Sequence, residues 1–388
     1  MKVSKGIRLS GLLVLASSLI SGCTAVYKGT GDVLVSFSKA EMVPHLMTYR
    51  DIGMACATGE SLTPLLMSFA EVGSKPDKLA PLVFVSAATC SESKALDAEL
   101  RYLRAMKRGD VTEAQDARSE QKAHAEQAAR RLYEAYRRTV LVHGEPVDGS
   151  CPRLRSEFDE LVWMVGLIAG VQSLLNDATA ETAVGIPRDV AAKVERGAAC
   201  LDNEKWWGVP QGMRAAVWNI LPMLAPEGAD AWAELENSTR LGFQKGIRLA
   251  SALYVISAYG VDDQTQLRKG IREFAANNKN LNKEYALLDA IAGELFLGVS
   301  HRMWADATGQ RTPFRGLGTF WDDAPANSGS LNIDDLLKFP NDIIRENYHA
   351  PQRDFCSCYF SRHASGAGQQ CTGQGTYHLC VRYHRHCR

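Results

Sequence analysis

The chain is 388 residues long and carries 44 Lys+Arg against 44 Asp+Glu, a formal net charge of zero. That balance excludes the basic surplus that a nucleic-acid partner demands. With 46% apolar and 23% charged residues, the composition is that of a globular chain rather than a disordered or fibrous one, and the length suits two domains or one extended helical array, since single cores stop growing at about 250–300 residues.

The first segment holds Lys2, Lys5 and Arg8, an apolar run from Gly11 to Ile20, and then Ser21-Gly22-Cys23. A basic stretch followed by a short apolar one reads as a secretory signal over residues 1–22, too short to span a bilayer. Ile20-Ser21-Gly22-Cys23 resembles the bacterial lipobox, which implies a diacylglycerol on the sulfur of Cys23. Thr24 stands where an aspartate would resemble an inner-membrane retention signal, so the expected address is the outer membrane, facing the periplasm. In that oxidising compartment Cys56, Cys90, Cys151 and Cys200 are an even set able to form two disulfides. Sequence neighbours are the simplest pairing, and none of the four has the close spacing of a zinc pair.

From residue 31 to 310 nearly every segment has helical period and almost none alternates as a strand does. Helices are predicted at about 31–55, 60–72 and 78–88, followed by one that Thr89-x-x-Glu92 opens and Lys107-Arg108-Gly109 closes. Asp110-x-x-Glu113 is a second capping box, opening a long helix to about Val142 with Ala114, Ala117, Ala125, Ala128 and Leu132 on related faces. Further helices are predicted at about 154–176, 187–200, 209–224, 228–242, 244–259, 263–277 and 281–308. The most apolar stretch, Leu161 to Leu175, is shorter than a bilayer crossing and reads as a buried core helix whose Gly166 and Gly170 allow close helix approach. The expected fold is all-α, a tetratricopeptide-like array of helical hairpins over residues 23–310 with room for a central cavity. No clean repeat of about 34 residues is present.

Residues 311–349 read as a loop and a short helix opened by Asn332-x-x-Asp335. Residues 350–388 hold Cys356, Cys358, Cys371, Cys380 and Cys387, with four His and five Arg against one Asp, leaving 39 basic and 43 acidic residues before them. This tract lacks a CxxC pair and the apolar content to fold around a metal, so it reads as a disordered tail.

Catalytic constellations are missing: no HExxH, no phosphate loop, no GxGxxG after a strand, no GxSxG elbow. Ser300 and His301 are adjacent, so on a helix they point about 100° apart and form no dyad. His45, His124, His143 and His301 are dispersed and read as surface or hydrogen-bonded histidines. No catalytic residue, metal or cofactor is therefore expected. What stands out is the aromatic content from residue 163 onward, which contains all seven tryptophans. Trp163, Trp206, Trp207 and Trp218, with Met213, Leu221 and Tyr254, either fill a helical core or line an apolar ligand cavity. Trp206-Trp207 is the most suggestive segment, because two adjacent side chains cannot both face one core and one is expected to face a groove.

The order of elements is a lipobox, two short helices (Ser61 to Val72, Leu79 to Ala88), and a long helix carrying Ala125, Ala128, Ala129, Leu132, Tyr133 and Ala135. Then come Glu160-Leu161-Val162-Trp163 and Leu281-x-x-Glu284 leading into Ala286, Leu287, Leu288, Ala290 and Ala292. Over about residues 19–310 this resembles the T-component family of tripartite ATP-independent periplasmic (TRAP) transporters. The resemblance implies a periplasmic lipoprotein, tetratricopeptide-like, pierced by a pore-like cavity and paired with a substrate-binding protein. Three functions stay open. One is an accessory transport component that binds or passes a hydrophobic small molecule, lipid- or sterol-like. Another is a scaffold docking a periplasmic substrate-binding protein for organic acids. An envelope lipoprotein with a purely structural role is a third.

Overall fold

The computed structural model describes residues 24–147 and 150–323. The signal segment, Cys23, the helix expected at 331–347 and the Cys/His-rich tail lie outside the described residues. Those that are described fall within one compact unit.

Helix α1 runs over residues 24–47, with a π-helical turn at Ser38–Met42 before its last turn, Val43–Met47. Pro44 has no N–H to offer the carbonyl one turn back, and the backbone widens immediately before it. The chain then leaves the helix at 48–51, inside the span expected to be continuous, because Asp51 caps α2 (Ile52–Ser68) by accepting from the Met54 N–H at 3.0 Å. Beyond a short loop lie α3 (Ala80–Arg108) and α4 (Val111–His143). The capping box expected at Thr89 is not a helix start: α3 passes straight through it, and the Thr89 hydroxyl donates to the Ser86 carbonyl at 2.7 Å. Apolar residues bury on both sides of that point, from Leu82 and Val83 to Ala95 and Ala98, and this packing overrides the local signal. Asp110 does cap α4, accepting from the Glu113 N–H, and Gly109 supplies the left-handed φ of 72° that reverses the chain.

The remaining helices are α5 (Glu157–Thr179), α6 (Val190–Ala198), α7 (Val209–Ile220), α8 (Ala231–Lys245), α9 (Leu249–Gly260), α10 (Gln264–Ala276) and α11 (Ala286–Thr308). The fold is all-α, and among the described residues there is no strand, only an isolated bridge between Val147 and Ser150. Helix α5 is long and apolar enough to cross a bilayer by length and composition, yet here it is an interior wall. A Cβ on Gly166 would stand 2.0 Å from Thr139 Oγ1, and one on Gly170 2.8 Å from the Tyr136 ring, so both glycines let α5 press against α4.

From α2 onward each helix packs on the next, and α11 returns to pack on α3 and α9, so the contacts form a closed circuit. Three long-range links run along the α3/α11 seam. Arg302 donates to Glu99 at 2.8 Å, Arg311 to Asp97 at 2.8 Å, and Lys107 to the Asp306 carbonyl at 2.8 Å. The segment after α11 folds back on the body: Phe320 is buried, Ser300 and Thr312 share a hydrogen bond, and Asp322 and Asp323 pair with Arg268 and Arg272. Two disulfides staple the array. Cys56–Cys90 joins α2 to α3, and Cys151–Cys200 ties the segment before α5 to the turn after α6.

Candidate functional site

The four candidate tryptophans, Trp163, Trp206, Trp207 and Trp218, are core. Trp163 on α5 is fully buried and donates its indole N–H to the Gly197 carbonyl at 3.0 Å. Trp206 donates to Glu160 at 2.7 Å and Trp218 to Glu195 at 3.1 Å, while the buried Tyr254 hydroxyl donates to Gln266. Burial pushes the Tyr254 phenol up to about 12, with Lys269 opposing and the Glu236 and Glu273 charges adding to the rise. Met213 is buried in the main core and Leu221 is half-buried where α7 ends. Indole groups whose N–H is satisfied by the protein and whose rings are enclosed by it have no surface left for a ligand. These side chains therefore do not form the expected cavity wall.

The Trp206-Trp207 pair corrects a more specific expectation. Both are buried, at 1% and 8% exposure, and neither faces a groove. The pair lies outside any helix: Trp207 has φ 55° and Gly208 φ 82°, so the chain turns sharply and sends successive side chains into one interior. Trp207 packs on Trp206 and Tyr285, with ring centroids 5.3 and 4.7 Å away. Gly208 is required twice over, by its φ and because a Cβ would come 2.4 Å from the Ser238 carbonyl oxygen.

Polar groups, rather than aromatics, meet where the helix circuit closes. Asn176 on α5 donates to Glu92 on α3 at 2.9 Å. Arg302 on α11 bonds Glu99 one heptad further along α3, and its guanidinium lies 5.8 Å from the Tyr259 ring of α9. Burial pushes the Glu92 carboxyl up, against the pull of the Asn176 N–H and the Arg302 charge. It also pushes the Tyr259 phenol up, although 47% of that residue is exposed. The sequence signal for this polar seam was Glu92 and Glu99 at i and i+7 on a helix whose adjacent positions, Ser91, Ala95 and Ala98, are buried. A separate surface depression of about 430 Å³ lies beside Arg50 and residues 281–284, and none of the tryptophans lines it.

No family model matches the chain, and comparisons with curated proteins and with solved structures find no match either.

Two histidines differ from the expectation of ordinary hydrogen-bonded ones. His143 Nε2 and His301 Nδ1 are buried with no hydrogen-bond partner among the described residues. Burial holds both imidazoles below their usual range; the Lys78 ammonium adds to the effect at His143 and Arg311 at His301, with Asp159 and Asp97 opposing. Among the described residues no group of three or more His, Cys, Asp or Glu is placed to hold a metal ion.

Proposed function

We propose that this protein is a lipid-anchored accessory component of an envelope solute-transport system, a tetratricopeptide-like scaffold that docks a periplasmic substrate-binding protein. The observation that carries this reading is the use of the aromatic side chains for packing while the closed helix circuit joins at polar residues, Glu92, Asn176, Glu99 and Arg302. A carrier of lipids or sterols needs an apolar cavity of about 300–1,000 Å³, and Trp163, Trp206, Trp207, Trp218 and Tyr254 are enclosed instead.

Attachment to a membrane surface is supported by α1. Val26, Val33 and Phe37, spaced i, i+7 and i+11, form an exposed apolar stripe that begins three residues after the lipobox cysteine. A helix with such a stripe lies in the interfacial layer beside an acyl anchor. The two disulfides support an oxidising, extracytoplasmic compartment.

The test has two parts. Cys23→Ala should move the protein from the membrane fraction to the soluble periplasmic fraction. Titration of the native protein with phosphatidylcholine or cholesterol, read by tryptophan fluorescence, should leave the emission maximum unchanged. A saturable shift would return the protein to the class of apolar-ligand carriers.

A further inference from the structure

A second cavity, of about 240 Å³, lies at the junction of α4 and α5, away from the α3/α11 seam. It is lined by Lys78, Val142, His143, Arg153, Arg155 and Asp159. Asp159 is buried and already engaged: its Oδ1 meets Lys78 Nζ at 3.4 Å and its Oδ2 accepts the Arg155 backbone N–H at 3.2 Å. Burial works to raise that carboxyl, but the Lys78 charge and the Arg155 N–H outweigh it and hold it below the usual carboxylate range. One carboxylate thus balances one ammonium. The Arg153 and Arg155 guanidiniums have no ion pair among the described residues, and His143 Nε2 is buried there without a partner.

Two exposed guanidinium forks without an ion pair around one small opening, beside a buried imidazole nitrogen without a partner, leave an excess of positive charge there. Arginine forks match the planar or tetrahedral oxygens of carboxylate and phosphate, and charge-assisted hydrogen bonds of that kind are the strong ones. The N-terminus of α5, capped by Ser156 at the same place, adds a favourable dipole. The Cys151–Cys200 disulfide anchors the segment that carries both arginines, so the forks are held near the opening before any ligand arrives.

The geometry points to a binding site for a small oxyanion, a carboxylate- or phosphate-bearing solute, held by Arg153, Arg155 and Lys78, with the His143 imidazole beside it as a reporter of the local charge. The buried Asp159 positions Lys78 and the Arg155 backbone rather than touching the ligand. This site stands independently of the scaffold reading, since it needs neither the lipid anchor nor a docked partner.

Isothermal titration of the full-length protein in detergent, with succinate in one arm and inorganic phosphate in the other, tests it. At least one arm should give saturable binding, and which one does so distinguishes the two chemistries. Replacing Arg153→Gln or Arg155→Gln should weaken that binding about tenfold or more, and the double variant further. Lys283→Gln, in the depression beside Arg50, should leave it unchanged. In the native protein the His143 imidazole resonances should shift with the same saturation curve, a readout that does not depend on any variant folding. Absence of binding in both arms, an unaltered affinity in the double variant, or an unmoved His143 signal at saturation would overturn the assignment.

Discussion

The aromatic interior from Trp163 onward and the small basic opening at the α4/α5 junction follow opposite rules. In the first, Trp163, Trp206 and Trp218 find an acceptor for every indole N–H within the protein, and the rings are enclosed. In the second, two exposed arginines without an ion pair line a small opening, and a histidine nitrogen beside it is buried without a partner. Aromatic density marks where the fold is held together. Unpaired basic groups around an opening mark the proposed oxyanion site, where the buried His143 Nε2 also lacks a partner, at a cost of about 1–3 kcal/mol.

The largest expected effect that tests this contrast is on stability. Trp163→Ala should cost roughly 3–5 kcal/mol in urea denaturation, whereas the Arg153→Gln/Arg155→Gln double variant should stay within about 0.5 kcal/mol per site. A Trp163→Ala change of less than about 1 kcal/mol would break the comparison, since a ring that can be removed so cheaply is not core.

Next in size is the bond that connects the two regions. Cys151→Ser with Cys200→Ser opens a crosslink between residues 49 apart in sequence and should cost about 2–4 kcal/mol. If the disulfide also holds the arginine segment in place, oxyanion affinity should fall in the same variant, even though both arginines remain. Unchanged affinity would show that the opening is organised without it.

Gly166→Ala sharpens the packing side of the contrast. The added methyl meets the Thr139 side chain where α4 and α5 press together, and overpacking of this kind should cost about 1–3 kcal/mol, read as a lowered melting temperature. Gly166→Ala with Thr139→Ala, which removes the Oγ1 nearest the added methyl, should recover part of the loss.

The smallest effect is a pH dependence. His143 and His301 are held below their ordinary pKa of 6.5, chiefly by burial. The unfolded chain therefore takes up protons that the folded one refuses. Their contribution to stability is full above about pH 6.5 and is lost as pH falls through the folded-state values. His143→Gln with His301→Gln should flatten the fall in melting temperature between neutral and mildly acidic pH. An unaltered slope would place the acid sensitivity elsewhere.

Much of the secondary structure is legible residue by residue, because its causes are local. Asp110 three positions before Glu113, after Lys107-Arg108-Gly109, marks a helix end and a helix start, and both occur there. The same pattern at Thr89 marks nothing, since the flanking apolar residues are buried as parts of one continuous helix. Asp51 caps a helix in the middle of a span whose apolar periodicity looks unbroken. At Trp206-Trp207 the expectation that adjacent side chains cannot share one core fails, because a left-handed φ at a non-glycine residue leaves no signature in the pattern of residue types.

The all-helical class, the burial of α5 and the turn at Gly109 were determined by the sequence alone, for hydrogen bonds and apolar periodicity within a few turns suffice to specify them. Closure of the circuit was decided only by the tertiary structure. It rests on Arg302–Glu99, Arg311–Asp97 and Lys107–Asp306, pairs 203, 214 and 199 residues apart. The meeting of Lys78, His143, Arg153 and Arg155 was decided in the same way. Each is an unremarkable basic residue in its own segment, and their chemistry arises from proximity that no local period encodes.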